Sequence, residues 1–320
     1  MKNENTCTER SRSIYLEKFK EWLIIKGFTS ETVKGLIKTV NYFINWIEEE
    51  NIELETVTYN DVVAYINYKR KQGNKPRTLI INTNALNHLF NFLIVEYGFN
   101  ENPASNVKIQ GIKRKVLQEI LTPVELENIY KSYTIEINKE ENKKIPPQKN
   151  NELARKRNKV ILGLLVYQGI KSEEIGKLEI QDLQLREGKI TIQGGIKTNA
   201  RTLKLEPHQI FDIYDYVNEV RKEILQVTKK TSNKVFISVG TSLNYQNILQ
   251  KLIKQLKTNN KKLIDLKQIR TSVITNWLKV YNLRKTQYLA GHRYVSSTEA
   301  YQVNNIDELH ENITKYHPLI

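Results

Sequence analysis

The chain has 320 residues, with 50 Lys+Arg against 35 Asp+Glu and a formal net charge of +15, a length that suggests about two domains burying cores without covalent staples. A lone Cys7 excludes an internal disulfide and a cysteine zinc cluster, and the five histidines show no metal-ligand spacing. The apolar runs fall far short of the roughly 20 residues that span a bilayer, and the opening MKNENTCTERSR has no apolar signal region, so the expectation is a cytoplasmic protein without metal, cofactor or membrane, with nucleic acid the leading partner for its positive charge.

Residues 1–12 read as an N-terminal tail. A helix is expected from about 13 to 26, with Tyr15, Leu16, Phe19, Trp22 and Leu23 on one face and Gly27 ending it. Residues 32–49 place Val33, Leu36, Ile37, Val40, Phe43, Ile44 and Ile47 at helical spacing. A short third helix starts near Asn60–Asp61, KQGNKP at 71–76 is loop chemistry, and a fourth helix runs from about Arg77 to Val95. Residues 13–104 thus predict a four-helix bundle, and 105–118 read as a linker within the weakly periodic stretch 101–121.

Thr122-Pro-Val-Glu125 is a helix start, with a capping threonine, a proline at the first helical position and a glutamate completing the box. The stretch 138–150 is a polar loop, and a helix with Val160, Ile161, Leu164, Leu165 and Tyr167 follows. The period then changes. Residues 183–205 alternate apolar and polar, with turns at Glu187–Gly188 and Gly194–Gly195, which predicts a small antiparallel sheet of about three strands. Helical periods return after 207, so 119–320 is expected to be a mostly helical second domain with one small sheet. The charge is uneven: residues 1–110 hold 14 basic and 13 acidic residues, whereas 111–320 hold 36 and 22. A segment carrying that excess repels itself unless a polyanion offsets it.

Residues 289–301, L-A-G-H-R-Y-V-S-S-T-E-A-Y, resemble the L-G-H…T-x-x-Y box of the tyrosine recombinases (phage-type integrases), with the same nine-residue step from His292 to Tyr301. Lys267-Gln-Ile-Arg270 sits where that family carries H-x-x-R or K-x-x-R, and Y-Q-G-I-K-S-E-E-I-G-K-L at 167–178 is similar to its T-G-[LM]-R-x-S-E-[IL]-x-x-L. Lys197 lies near a hairpin tip, where the family keeps its β-hairpin lysine. The resemblance covers nearly the whole chain, in the family's order. It implies a mainly α, two-domain fold: a SAM-like core-binding domain, then a catalytic domain with a small antiparallel β-sheet.

It also implies a metal- and ATP-independent site-specific recombinase that breaks and rejoins DNA, most simply to integrate or excise a mobile element. A tyrosine hydroxyl ionises near pH 10 and is a poor nucleophile at neutrality. Attack on a phosphodiester piles charge on non-bridging oxygens, which fixed donors must stabilise when no metal does so. Tyr301 is the implied nucleophile, Arg270 the bidentate phosphate grip, His292 a donor, Lys267 a further donor or proton shuttle, and Lys197 the general acid, with Arg201 and Lys204 as lesser candidates. The family's first arginine falls on Lys171, which keeps the charge but not the fork. Two readings follow: a working enzyme in which Lys171 serves, or a catalytically impaired relative that clamps DNA as an architectural or regulatory protein. Supercoil relaxation by the same chemistry is a distant third.

By the same resemblance the two domains form a C-shaped clamp on double-stranded DNA. Expected groove-facing residues are Ser30, Thr32 and Lys34 at one helix start and Lys75, Arg77, Thr78 and Asn82 at another, unless Thr29 or Ser30 merely caps. Lys113, Arg114 and Lys115 would cross the backbone. Ile306, Leu309, Ile313 and Tyr316 space an amphipathic tail helix over 306–316, whose apolar face either packs on its own domain or docks on a neighbouring protomer, as the family's tails do in a tetramer on DNA, with room for a DNA-bending helper protein.

Overall fold

A computed structural model describes residues 4–111, 119–134, 149–196, 198–240 and 245–302, which divide into two units, Met1–Lys115 and Val116–Ile320. The described part of the first unit consists of α1 (Glu4–Ile25), α2 (Ser30–Glu49), α3 (Tyr59–Lys71) and α4 (Pro76–Tyr97), with a short 3-10 turn at Leu54–Thr56. Helix α1 begins at Glu4, so residues 4–12, read as tail, belong to it. No glycine or proline interrupts them, although Asn5, Thr6, Thr8 and Ser11 are weak helix formers. The Thr29 side chain caps α2 by accepting from Thr32 N, and Thr58 and Asp61 form a reciprocal capping box on α3. Pro76 opens α4, where its missing N–H leaves no bond unmade.

The apolar stripes meet in a core that includes Phe19, Leu23, Val40, Phe43, Tyr65, Leu86, Phe90 and Leu93. Phe43 sits edge-on to Tyr65 and to Phe90, at 5.0 and 6.1 Å between ring centres. Each such side chain contributes about 1.5–3 kcal/mol by leaving water. Helix α4 is the one described helix long and apolar enough to cross a membrane. Its apolarity serves this core instead, with Leu79, Leu86, Leu89, Phe90 and Leu93 all buried. Beyond α4 the linker reading is corrected at its near end: Ala104 is buried in the same core, and Val107 and Ile109 pack against it.

The described part of the second unit opens with α5 (Pro123–Lys131) and α6 (Lys149–Gln168). The Thr122–Glu125 box forms as the sequence predicts, with Glu125 N donating to Thr122 Oγ1 at 3.2 Å and Thr122 N donating to the Glu125 carboxylate at 2.9 Å. The polar stretch 138–150 lies, up to 148, outside the described residues. Helix α7 (Ser172–Lys177) leads into a three-stranded antiparallel sheet of β1 (Leu183–Gln184), β2 (Lys189–Ile192) and β3 (Arg201–Lys204), in sequence order. Ile190 pairs with Leu203 and Ile192 with Arg201, so Ile190, Ile192 and Leu203 share the face that enters the core. Next, α8 (Pro207–Asp215) and α9 (Arg221–Thr228) are joined by a π-helical turn, followed by α10 (Tyr245–Asn259), α11 (Leu266–Val280), α12 (Leu283–Ala290) and α13 (Ser296–Glu299). Helix α6 runs through the core with Ile161, Leu162, Leu164 and Leu165 buried, and α11 packs along it through Ile269 and Val273.

Candidate active site

Four chain segments deliver polar side chains to one place: the α6–α7 turn, the start of β3, the middle of α11, and the stretch from the end of α12 through α13. At the first, Gly169 turns the chain with φ +54°, and a Cβ there would stand 2.9 Å from Val273 Cγ1, so only glycine lets α6 approach α11 this closely. Its carbonyl accepts a hydrogen bond from Arg270 Nη1. Arg270 Nη2 donates to the Ala290 carbonyl at 2.7 Å. These carbonyls lie at the C-terminal ends of α6 and α12, so a guanidinium only 7% exposed sits between two helix termini of negative partial charge. Burial lowers the basicity of this guanidinium, and Glu174 and the Tyr301 hydroxyl oppose that by favouring its charged form.

Lys171 is the N-cap of α7, with its amide donating to Glu174 Oε2 at 2.9 Å. Its side chain is half-buried, and burial first, then Arg270 and Arg201, hold its ammonium below the usual lysine range. Glu174 receives both Arg201 guanidinium nitrogens, at 2.9 and 2.8 Å, while Arg201 Nε donates to the Leu289 carbonyl at 2.9 Å. This is a buried fork-to-fork pair, its side chains 0% and 9% exposed. Burial alone would raise the Glu174 carboxyl, but Arg201 overrides it and holds it below the ordinary carboxylate value. Arg201 was a candidate proton donor from sequence. The structure corrects that, because its guanidinium is committed to Glu174 and Leu289 and a guanidinium does not deprotonate in proteins. Lys204 is exposed at the far end of β3 from Arg201.

Helix α12 ends on Gly291 in the left-handed region, φ +67°, and a Cβ there would fall 2.3 Å from Arg201 Nη1. His292 follows at 6% exposure. Its Nδ1 meets Thr298 Oγ1 at 2.9 Å and its Nε2 faces Arg270 Nη2 at 3.4 Å. Burial, then Arg270, Lys171 and Arg201, push the imidazole down to about 4, so the ring is neutral at pH 7. The Tyr301 ring stacks on His292, 5.5 Å between centres and 19° between planes. Tyr301 is held at the turn after α13, where its amide donates to the Thr298 carbonyl at 3.0 Å.

The structure therefore brings Lys171, Arg270, His292 and Tyr301 together. Lys267 stands one turn before Arg270 on α11 and is exposed. Lys197 lies outside the described residues; on either side of it, Thr198 bridges to His292, Asn199 N donates to the Gly291 carbonyl at 3.1 Å, and the Ile196 carbonyl accepts from Arg293 at 2.9 Å. The Glu174–Arg201 pair and Thr298 escaped the sequence reading. Glu174 and Thr298 stand inside the quoted motifs, but nothing in the sequence ties Arg201 to a carboxylate 27 residues earlier.

In the first unit Ser30, Thr32, Lys34, Lys75, Arg77 and Thr78 are exposed, and Lys34 pairs with Glu31 at 3.2 Å. Thr29 spends its hydroxyl on capping. Asn82, expected to face a groove, is instead 9% exposed. It lies three residues after Leu79 and four before Leu86, on the stripe that α4 turns inward. Lys113, Arg114, Lys115 and the tail 306–316 lie outside the described residues.

The phage integrase family model matches residues 135–308, and the model of the phage integrase N-terminal SAM-like domain matches 16–97. The tyrosine recombinase XerD of Listeria innocua is 24% identical over 311 residues, covering 95% of this chain and 98% of that protein. The tyrosine recombinase XerC of Natranaerobius thermophilus is 25% identical, covering 92% and 94%. Among solved structures, XerH bound to a palindromic difH substrate superimposes with a TM-score of 0.65 at 20% identity, covering 88% of this chain and 79% of that one. A lambda integrase dimer bound to a COC′ core site gives 0.61 at 15% identity, covering 92% and 95%. At these identities the structural likeness carries the fold, which matches the two-domain, mainly α expectation.

Proposed function

Because the chain belongs to the phage integrase family, whose members cut and rejoin DNA, we propose that it is a site-specific DNA recombinase acting through a 3′-phosphotyrosine intermediate, in the cytoplasm, to integrate or excise a mobile element. The observation that carries this reading is the convergence of the Arg270 guanidinium and the His292 ring on the side where Tyr301 stacks, with the Lys171 ammonium acting on the same ring. Tyr301 Oη bonds to phosphorus and releases its proton to water. The 5′-oxygen leaves with a proton supplied by Lys197, and rejoining reverses both steps. Arg270, His292 and Lys171 stabilise the charge that develops on the non-bridging oxygens, and Lys267 adds a cation near the scissile strand. The bond energy is kept in the tyrosyl ester, so the step needs no nucleotide cofactor.

Ser30, Thr32, Lys34, Lys75, Arg77 and Thr78 serve as contacts to double-stranded DNA, with Lys113, Arg114 and Lys115 adding grip on its phosphates. The tail 306–316 links protomers into a tetramer on the DNA. The test is a nicked duplex carrying the end of the element, read on a denaturing gel for a covalent adduct and on a native gel for binding. Wild type is expected to form the adduct, Tyr301→Phe to bind without forming it, and Lys171→Ala to form it up to about 10²–10³-fold more slowly, the usual cost of one preorganised donor. Tight binding by wild type with no adduct would overturn the enzyme reading in favour of the architectural one, which the Lys171 substitution specifically permits.

A further inference from the structure

Thr298 has no exposed surface, and among the described residues its hydroxyl meets one polar partner, His292 Nδ1 at 2.9 Å. The other ring nitrogen, Nε2, faces Arg270 Nη2 at 3.4 Å. A guanidinium nitrogen only donates, so without DNA Nε2 must offer its lone pair and Nδ1 must carry the ring's proton, which Thr298 Oγ1 accepts. A phosphate oxygen is an acceptor. When one enters between the Arg270 and His292 nitrogens, Nε2 must carry the proton to bond to it, and Nδ1 is left with a lone pair in a buried place. A lone pair there needs a donor, and a hydroxyl is the side-chain group that changes from acceptor to donor by rotating about one bond. Without DNA the ring has only one proton to place, because burial and the cations Arg270, Lys171 and Arg201 keep it neutral against the Glu174 carboxylate.

We propose, resting on the recombinase reading of this site, that Thr298 is a positioning residue that lets His292 exchange tautomers: it accepts from Nδ1–H without DNA and donates to Nδ1 when a DNA phosphate binds, turning Nε2–H toward the phosphate. Its second hold on the site is the 3.0 Å bond from Tyr301 N to its carbonyl, so the residue that sets the ring's proton also anchors the nucleophile's backbone. A hydroxyl is what the position requires. Serine supplies it, and valine matches the shape of threonine without it.

Two measurements decide the matter. In single-turnover adduct formation on the nicked duplex, Thr298→Val is expected to slow the reaction by about 10–10²-fold, short of the loss of a whole donor, with affinity in the gel-shift within about twofold. Thr298→Ser is expected to restore the rate to within about threefold of wild type. A Thr298→Val protein as fast as wild type, or a serine variant as slow as the valine one, overturns the proposal. The second measurement does not depend on that variant folding: ¹⁵N NMR of the histidine ring nitrogens in Tyr301→Phe at neutral pH, alone and bound to the uncleaved duplex, with His292→Gln assigning the signal. Protonated Nδ1 without DNA and protonated Nε2 with it is the expected pattern, and one tautomer throughout overturns the proposal. A wild-type protein that binds DNA and forms no adduct sinks the recombinase reading itself, which is a different outcome from either of these.

Discussion

Arg270 shows how a single cation can be buried beside other cations without a carboxylate hydrogen-bonded to it among the described residues. Two helix-terminal carbonyls, of Gly169 and Ala290, take its donors, and their partial negative charge replaces part of the lost hydration. His292 has no such support for a positive charge, and its depressed basicity makes a pH prediction. The unfolded ring titrates near 6.5 and the folded one near 4, so the unfolded chain binds the proton first. Stability is fully present above pH 6.5 and falls by about 3 kcal/mol as the pH drops to 4. Chemical unfolding of the catalytic unit followed against pH should show that slope in wild type and a flatter one in His292→Gln. Tyr65 is the opposite kind of residue, a buried hydroxyl with no hydrogen-bond partner among the described residues, and burial raises its ionisation well above the usual tyrosine value. Tyr65→Phe removes that unpaired group and keeps the ring against Phe43 and Trp46. Thermal or chemical unfolding should show the first unit stabilised by about 1 kcal/mol.

Between elements, the tightest juncture is the end of α12 against β3, where Gly291 leaves room for the Arg201 fork. Gly291→Ala forces a left-handed alanine, which costs about 1–2 kcal/mol, and also pushes Arg201 away from Glu174. Unfolding should show a loss of more than about 2 kcal/mol, and adduct formation should fall with it, because Lys171 and His292 are both tied to that pair. A loss below 1 kcal/mol would mean that the juncture is softer than its geometry. The boundaries of such elements were largely legible beforehand. Thr122–Glu125, the alternation across 189–192 and 201–204, and the apolar stripes of α2 and α4 are all local signals. Asn82 was misread for a reason equally local: its amide suggested a groove contact, whereas its spacing from Leu79 and Leu86 places it inward. The α12–β3 juncture was not legible, since it depends on Arg201 reaching Glu174 and Leu289, 27 and 88 residues away. The nine-residue step from His292 to Tyr301 showed that the two residues belong together, but not that a buried threonine stands between them.

At the scale of the molecule, charge divides the labour. Residues 1–110 are nearly balanced and 111–320 carry almost the entire excess, so the DNA contacts we propose for the first unit rest on a few cations. Lys75 and Arg77, exposed at the start of α4, are two of those proposed. The Lys75→Ala, Arg77→Ala double variant should reduce the slope of log binding constant against log salt by about 2, read from gel-shifts across a salt series. An unchanged slope would move the first unit's phosphate contacts elsewhere. The hydrogen bonds that build the site have a further consequence, for the order of events during synthesis. Arg270 binds a carbonyl 101 residues earlier, and Arg201 one 88 residues later, whereas the bundle of α1 to α4 is complete within the first 115 residues. At ribosomal rates of about 5–20 residues per second, Tyr301 emerges roughly 10–40 s after the bundle can fold. On the recombinase reading, a nascent chain therefore passes through a period in which the bundle is complete and Tyr301 has yet to be made.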